Sequence, residues 1–136
     1  METGTLEERI KAEMTVDYND ALEKKFDTAK KMIGITPEGK VSLLQDSALG
    51  GEDRIVLYLI GKVYAKRVGY VQEDWVSNKE LLEELGLKEG SLFPWLKFLR
   101  EANKIKQKTV GKSSVNFIPY NLIGNELDRI WKKLNK

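Results

Sequence analysis

The chain of 136 residues contains no cysteine and no histidine. Without cysteine it can form neither a disulfide framework nor a thiolate zinc site. Without histidine it lacks the side chain that most often serves as a general acid or base and as a transition-metal ligand. These absences favour a protein that is not an enzyme and needs no metal or cofactor, and we expect it in the cytoplasm.

Long apolar runs are also missing. The longest, residues 55–60, is far shorter than the roughly 18 residues that span a bilayer. The first residues, METGTLEERIKAEM, are polar and acidic, unlike a signal or transit peptide. With 41% apolar and 32% charged residues, the composition is that of a globular chain, and we expect no membrane partner.

Charge is distributed unevenly along the chain. Residues 1–85 hold 12 Lys/Arg against 17 Asp/Glu, a net charge of −5, whereas residues 86–136 hold 11 against 4, a net charge of +7. Such a split indicates a face that binds a polyanion. The alternative is that surface charge varies by chance.

The first fifty residues predict a helical extension. Leu6, Ile10 and Met14 recur at every fourth position, which is typical of a short amphipathic helix. A second helix is expected over residues 17–33, with Asp17 as a candidate N-cap and one apolar stripe that runs to Ile33.

A turn sequence follows this extension. Gly34 is expected to end the helix, and Pro37 and Gly39 lie between β-branched residues, which predicts a small hairpin over residues 35–44. Residues 45–51 have the character of a linker. We therefore predict two units, an N-terminal helical extension with a small β-hairpin over residues 1–50 and a second domain over residues 51–136.

The second unit begins with a helix over residues 52–67, which carries too many apolar residues for one narrow stripe and should be largely buried. Residues 71–76 predict a short strand. Ser77 and Glu80 have the spacing of a capping box, in which each side chain binds a backbone amide of the other end. Gly86 is expected to end that helix in the left-handed conformation.

The next helix is expected to be capped by Ser91 and to hold Pro94 in its first turn. A hairpin with Gly111 and Lys112 at its tip follows, and residues 121–134, from Asn121 to Leu134, form a last helix with one apolar stripe. At 100° per residue, the helix after Ser91 has an inner face, an outer face and two flanks. The inner face comprises Leu92, Trp95, Leu96 and Leu99, the outer face Pro94, Lys97, Phe98 and Glu101, and the flanks Phe93 and Arg100.

In this order of elements, residues 51–119 resemble the winged helix-turn-helix superfamily of small bacterial and archaeal transcriptional regulators. The resemblance rests on a first helix at 77–86, a turn at 87–90, a recognition helix at 91–103 and a wing at 104–118. The spacing of Leu92, Leu96, Leu99 and Ile105 is typical of the superfamily rather than of one member. It implies a mainly α-helical winged helix-turn-helix fold with a small β-wing, here with an N-terminal helical and hairpin extension and a C-terminal helix.

The resemblance also implies a DNA-binding protein, most simply a transcriptional regulator, whose partner is double-stranded DNA. The outer face of the recognition helix would read the major groove, and the wing would contact the neighbouring backbone or minor groove. The DNA-binding residues would be Ser91, Phe93, Pro94, Lys97, Arg100, Lys104, Lys106, Lys108 and Lys112. Chemistry supports part of this set, because free amides near Ser91 suit a phosphate and Arg100 suits guanine. The lysines can equally form an ordinary solvated surface.

Three residues on this helix are unexpected for a DNA-binding face: Phe98 and Pro94 are apolar, and Glu101 would repel phosphate. The alternative is an interaction module that docks a protein partner through Phe93, Pro94 and Phe98. Phe98 can instead pack beneath the N-terminal helices.

The apolar stripes of residues 17–33 and 121–134 must be covered by something. They can pack on each other within one chain or form a homodimer across a two-fold axis, which would supply a second DNA half-site. The Gly111–Ser114 segment is not a phosphate-binding loop, since the glycine required at position 106 is a lysine.

Overall fold

The structure is a computed structural model that describes residues 4–15 and 20–135. It combines helices with two small antiparallel sheets. The helices are α1 (Leu6–Arg9, continued by a π-helical turn at Ile10–Met14), α2 (Asp20–Lys24), α3 (Phe26–Ala29), α4 (Gly51–Arg67), α5 (Asn78–Leu85), α6 (Glu89–Glu101) and α7 (Tyr120–Leu134), with a 3-10 turn at Asp46–Ala48. The strands are β1 (Ile33–Ile35), β2 (Val41–Leu43), β3 (Val76–Ser77), β4 (Lys106–Val110) and β5 (Ser113–Phe117). No helix in these ranges is long and apolar enough to cross a bilayer.

Helix α4 lies at the centre of the molecule. Every residue from 55 to 63 is buried, which confirms the prediction of a helix without one narrow apolar stripe. The β1–β2 hairpin and helices α5, α6 and α7 all pack on it. The hairpin approaches closely because Gly61 has no side chain: a Cβ there would lie 2.5 Å from a methyl carbon of Val41.

The two predicted hairpins are confirmed. In the first, β1 pairs with β2 so that Ile33 lies opposite Leu43. In the second, β4 pairs with β5 around Gly111 and Lys112, and the positive φ of 63° at Gly111 suits the first position of a type II′ turn. Strand β3 adds to the other edge of β5, giving the order β3-β5-β4. It is much shorter than predicted, since residues 71–75 are not in a strand.

The prediction of one helix over residues 17–33 is wrong at its C-terminal end. Helix α3 ends at Ala29, and Ile33 and Gly34 lie in strand β1. Ile33 pairs with β2 and touches α4 at Gly61, so a contact distant in sequence overrides the helical spacing. The candidate N-cap, Asp17, lies outside the described residues.

Helices α2 and α3 pack against α7 within one chain. Leu22 of α2 and Ile123 and Leu127 of α7 are buried, and Lys25 Nζ lies 2.9 Å from a carboxylate oxygen of Asp128. Much of the two apolar stripes is therefore covered within one chain, although Phe26 of the first stripe is 51% exposed. The homodimer through these helices stays a prediction.

One hydrophobic core holds residues from both predicted units. Leu22, Met32 and Val41 of the first fifty residues belong to the same buried cluster as Ile55 and Leu96 of the remainder. The division at residue 50 stays a prediction of the sequence. The apolar stripe of the first helix does not belong to this core, since Leu6, Ile10 and Met14 are all exposed.

We expect Gly61→Ala to destabilise the protein by about 1–3 kcal/mol, because the added methyl group must displace Val41 in a packed core. Gly90→Ala is the matched control. Gly90 is also helical, but a Cβ there meets no atom within 4 Å, so the substitution should be neutral or stabilise by up to about 1 kcal/mol. Urea unfolding of both variants measures the difference, and equal effects would contradict the packing account.

Candidate nucleic-acid interface

Helix α5 is fixed at both ends against α4. At its start, Ser77 Oγ accepts a hydrogen bond from the Glu80 amide at 3.1 Å, as a capping box requires. The second predicted contact of the capping box, from the Glu80 side chain back to the Ser77 amide, is wrong. The Glu80 carboxylate instead accepts a hydrogen bond from Tyr58 Oη at 2.5 Å and pairs with Lys62 Nζ at 2.9 Å. The carboxylate thereby joins α5 to α4 rather than closing its own helix end.

The turn after α5 follows its predicted chemistry. Gly86 has a φ of 64°, the left-handed conformation that ends a helix, and the Leu87 amide donates to the Leu82 carbonyl at 3.1 Å. Arg54 of α4 donates to the Leu85 carbonyl at 2.6 Å, which holds the C-terminal end of α5. These contacts set the direction in which α6 leaves the turn.

Helix α6 begins earlier than predicted, at Glu89, with Lys88 as the N-cap residue. Ser91 is therefore not the cap, and its amide is not free for a phosphate because it donates to the Lys88 carbonyl at 3.0 Å. Pro94 is the sixth residue of the helix, beyond the first turn. Having no N–H, it leaves the Gly90 carbonyl without the usual helical donor.

The two faces of α6 differ as predicted. Leu92, Leu96 and Leu99 are at most 1% exposed, whereas Phe93 and Phe98 are each 50% exposed. Phe98 therefore does not pack beneath the N-terminal helices. Trp95 lies partly buried on the inner side, and its ring occupies the space that a Cβ of Gly51 would need.

A tight reversal joins α6 to the hairpin. Asn103 has a φ of 59°, its amide donates to the Arg100 carbonyl, and the Lys104 amide donates to the Leu99 carbonyl at 2.9 Å. This is the Schellman arrangement, with asparagine where glycine is usual. An asparagine just after a helical stripe is a sequence signal for this turn, and it was not among the predicted features.

The β4–β5 hairpin projects into solvent. Every residue from 106 to 114 is exposed, while Val115 and Asn116 at its base are buried. Lys106 and Lys108 lie on one face of β4, since they alternate along a strand, and Lys112 lies at the tip. The Lys108 ammonium lies 5.2 Å from the centre of the Phe117 ring.

The cations of this region differ in how strongly they are engaged. In the part of the chain that the structure describes, Arg100, Lys106, Lys108 and Lys112 have no carboxylate within 4.0 Å. Lys97 has only a loose, exposed pair with Glu101, at 3.9 Å. Within the described residues, four of the six predicted cations thus have no carboxylate partner, and a fifth is held weakly.

Lys104 is the exception among the predicted DNA-binding residues. Its ammonium lies 4.0 Å from the Glu126 carboxylate of α7, and its side chain is only 27% exposed. Glu126 in turn accepts from Arg129 at 2.8 Å, so Lys104 belongs to a charge cluster on α7. It is less available to a partner than the other lysines.

That cluster is anchored on Asp53, a buried residue in the first turn of α4. Arg129 Nη2 lies 2.8 Å from one carboxylate oxygen of Asp53, and Lys133 Nζ lies 2.6 Å from the other. Burial raises the pKa of Asp53, but hydrogen bonds from Lys133 and Arg129 and their charges outweigh it, so the pKa lies below 3.8. The pair of cations therefore fastens α7 to α4.

Asp53→Asn should lower the free energy of unfolding at neutral pH by about 1–3 kcal/mol, because Lys133 loses its charged partner and Arg129 keeps only Glu126. Since the pKa of the folded state is the lower one, this stability is complete above the ordinary pKa and is lost as the pH falls. The difference between wild type and variant should therefore shrink below about pH 4 in urea unfolding.

Glu83→Gln is the control, because its pair with Lys79 is exposed on both sides. We expect a change below about 0.5 kcal/mol at any pH. If the free energies of unfolding of wild type and Asp53→Asn differ by the same amount down to pH 2, the lowered pKa of Asp53 is contradicted.

Over residues 4–15 and 20–135 no group of three or more acidic side chains is placed to hold a metal ion. A comparison of the chain with protein-family models, curated proteins and solved structures finds no match. The winged-helix interpretation therefore depends on the order and geometry of the elements.

Proposed function

We propose that the protein is a DNA-binding winged-helix protein that acts as a transcriptional regulator. In this proposal α5 and α6 form the helix-turn-helix, α6 enters the major groove of double-stranded DNA, and the β4–β5 hairpin is the wing that contacts the neighbouring backbone. The mixture of helices with a small antiparallel sheet is compatible with this fold.

The observation that carries the proposal is the projecting hairpin with its unpaired lysines. Folding alone gives no reason to concentrate cations on a segment that is exposed from residue 106 to 114 and contributes nothing to the core. A row of cations free of carboxylate partners is what a phosphate backbone needs, because each contact releases a condensed counterion. Lys106, Lys108 and Lys112 are therefore the proposed backbone contacts.

Replacing Lys106, Lys108 and Lys112 together by glutamine should weaken binding to every duplex sequence. The slope of log affinity against log salt should flatten by about 2–3 units, since each lost phosphate contact removes about 0.9. Fluorescence anisotropy with a random-sequence duplex at several salt concentrations gives this slope.

The control is the triple glutamine variant of Lys11, Lys40 and Lys132, which lie exposed elsewhere in the chain and carry the same total charge. It should retain the wild-type slope to within about one unit. Equal slopes for both triple variants would show that the hairpin has no special part in binding.

A second function, docking of a protein partner through α6, is favoured by one observation. Phe93 and Phe98 are half-exposed and Pro94 lies exposed beside them, which places an apolar patch on the outer face of the helix. Aromatic residues of this kind often contribute most of the binding energy at protein interfaces.

Under this second function, Phe98→Ala should weaken binding of the partner by a factor of ten or more, about 1.4 kcal/mol, at an unchanged melting temperature. The salt slope for DNA should not change. Titration calorimetry with a purified partner tests the first expectation. The triple lysine variant, which keeps the apolar patch, should bind that partner normally, and its failure to do so would argue against docking through α6.

A further inference from the structure

The outer face of α6 has unusual chemistry for a helix that reads DNA. It contains no asparagine or glutamine, the side chains that recognise adenine through two hydrogen bonds. Lys97 is loosely paired with Glu101, and Arg100 is partly buried on a flank. The largest exposed groups are the rings of Phe93 and Phe98.

Apolar groups can read one feature of the major groove, the 5-methyl group of thymine. We propose that Phe93 and Phe98 bind thymine methyl groups, so that the preferred ligand is a duplex with A·T pairs at the positions facing α6. This inference rests on the proposed DNA-binding function and adds to it the class of sequence that is bound.

The spacing of the two rings fits separate contacts. They are five residues apart, which corresponds to about 7.5 Å along the helix and about 140° around it. The rings therefore lie on either side of Lys97 and cannot share one methyl group. Each contacts a different base pair, while Lys97 between them points towards the groove.

Charge argues for DNA over an acidic protein as the occupant of this patch. The rings lie on the same helix as Arg100, and the projecting hairpin with Lys106, Lys108 and Lys112 follows that helix; these four cations have no carboxylate partner among the described residues. A duplex supplies both a regular line of phosphates for the hairpin and methyl groups in the adjacent groove. A protein partner would need an acidic surface for the hairpin and a separate apolar surface for the two rings.

The test compares two duplexes of about two helical turns, one of alternating adenine and thymine and the other with deoxyuridine in place of thymine. They differ only in the 5-methyl groups, which lie in the major groove. Wild type should bind the thymine duplex about four times more tightly if one methyl group is buried, and about sixteen times if two are.

The Phe93→Ala/Phe98→Ala variant should bind both duplexes equally. Because both rings are half-buried, the variant should melt a few degrees below wild type but remain folded at the temperature of the binding assay. Phe26→Ala is the matched control, since Phe26 is 51% exposed on α3 and should leave the thymine preference intact.

The outcomes separate this inference from the proposed function. Equal binding of both duplexes by wild type overturns the methyl contact but leaves DNA binding in place. A thymine preference that survives in the double variant overturns the role of these two rings and leaves them for a protein partner. Absence of binding to either duplex overturns both the inference and the proposed function.

Discussion

Burial of α4 on all sides is the constraint on which the rest of the structure depends. A helix without a solvent-facing stripe needs neighbours all round, and the β1–β2 hairpin, α5, α6 and α7 supply them. Two glycines permit this close packing: Gly61 admits Val41 of the hairpin, and Gly51 admits the ring of Trp95 from α6. The extension formed by the first fifty residues therefore completes the surroundings of α4.

Polar contacts then fix the angles of the surrounding helices. The Glu80 carboxylate ties the first turn of α5 to Tyr58 and Lys62, while Asp53 ties the last turns of α7 to the start of α4. In the part of the chain that the structure describes, helix α6 has no comparable buried ion pair and is held by its leucines and Trp95. Apolar packing of its inner face, together with the hydrogen-bonded turns at Gly86 and Asn103, sets its position.

Prediction succeeded where the information was local. The last helix, the inner face of α6, the stop at Gly86 and both hairpins follow from spacing and turn chemistry within a few residues. It failed where a distant partner decided the outcome: Ile33 leaves its helical pattern to pair with Leu43. The same cause separates Lys104 from the other hairpin lysines, because Glu126 lies 22 positions further along the chain.

The start of α6 shows a different limit of prediction. Serine is a strong capping residue, and Ser91 therefore appeared to mark the beginning of the helix. The helix instead begins after Lys88, with no side-chain cap. Because Glu89 and Gly90 are helical, α6 begins closer to α5 and the connecting turn is shorter. Pro94 then lies in the second turn of the helix, where it is tolerated because it faces solvent.

Two half-exposed phenylalanine rings lie on the same helix face as Lys97, close to the cationic hairpin, and this combination is what the proposed function addresses. Leaving half of each ring in water forgoes part of the roughly 1.5–3 kcal/mol that full burial of each would contribute. A surface without a binding function would not be expected to combine this unrealised burial energy with a line of cations that have no carboxylate partner among the described residues. In the proposed function, the major groove of an A·T-rich duplex supplies both negative charge for the cations and apolar methyl groups for the rings.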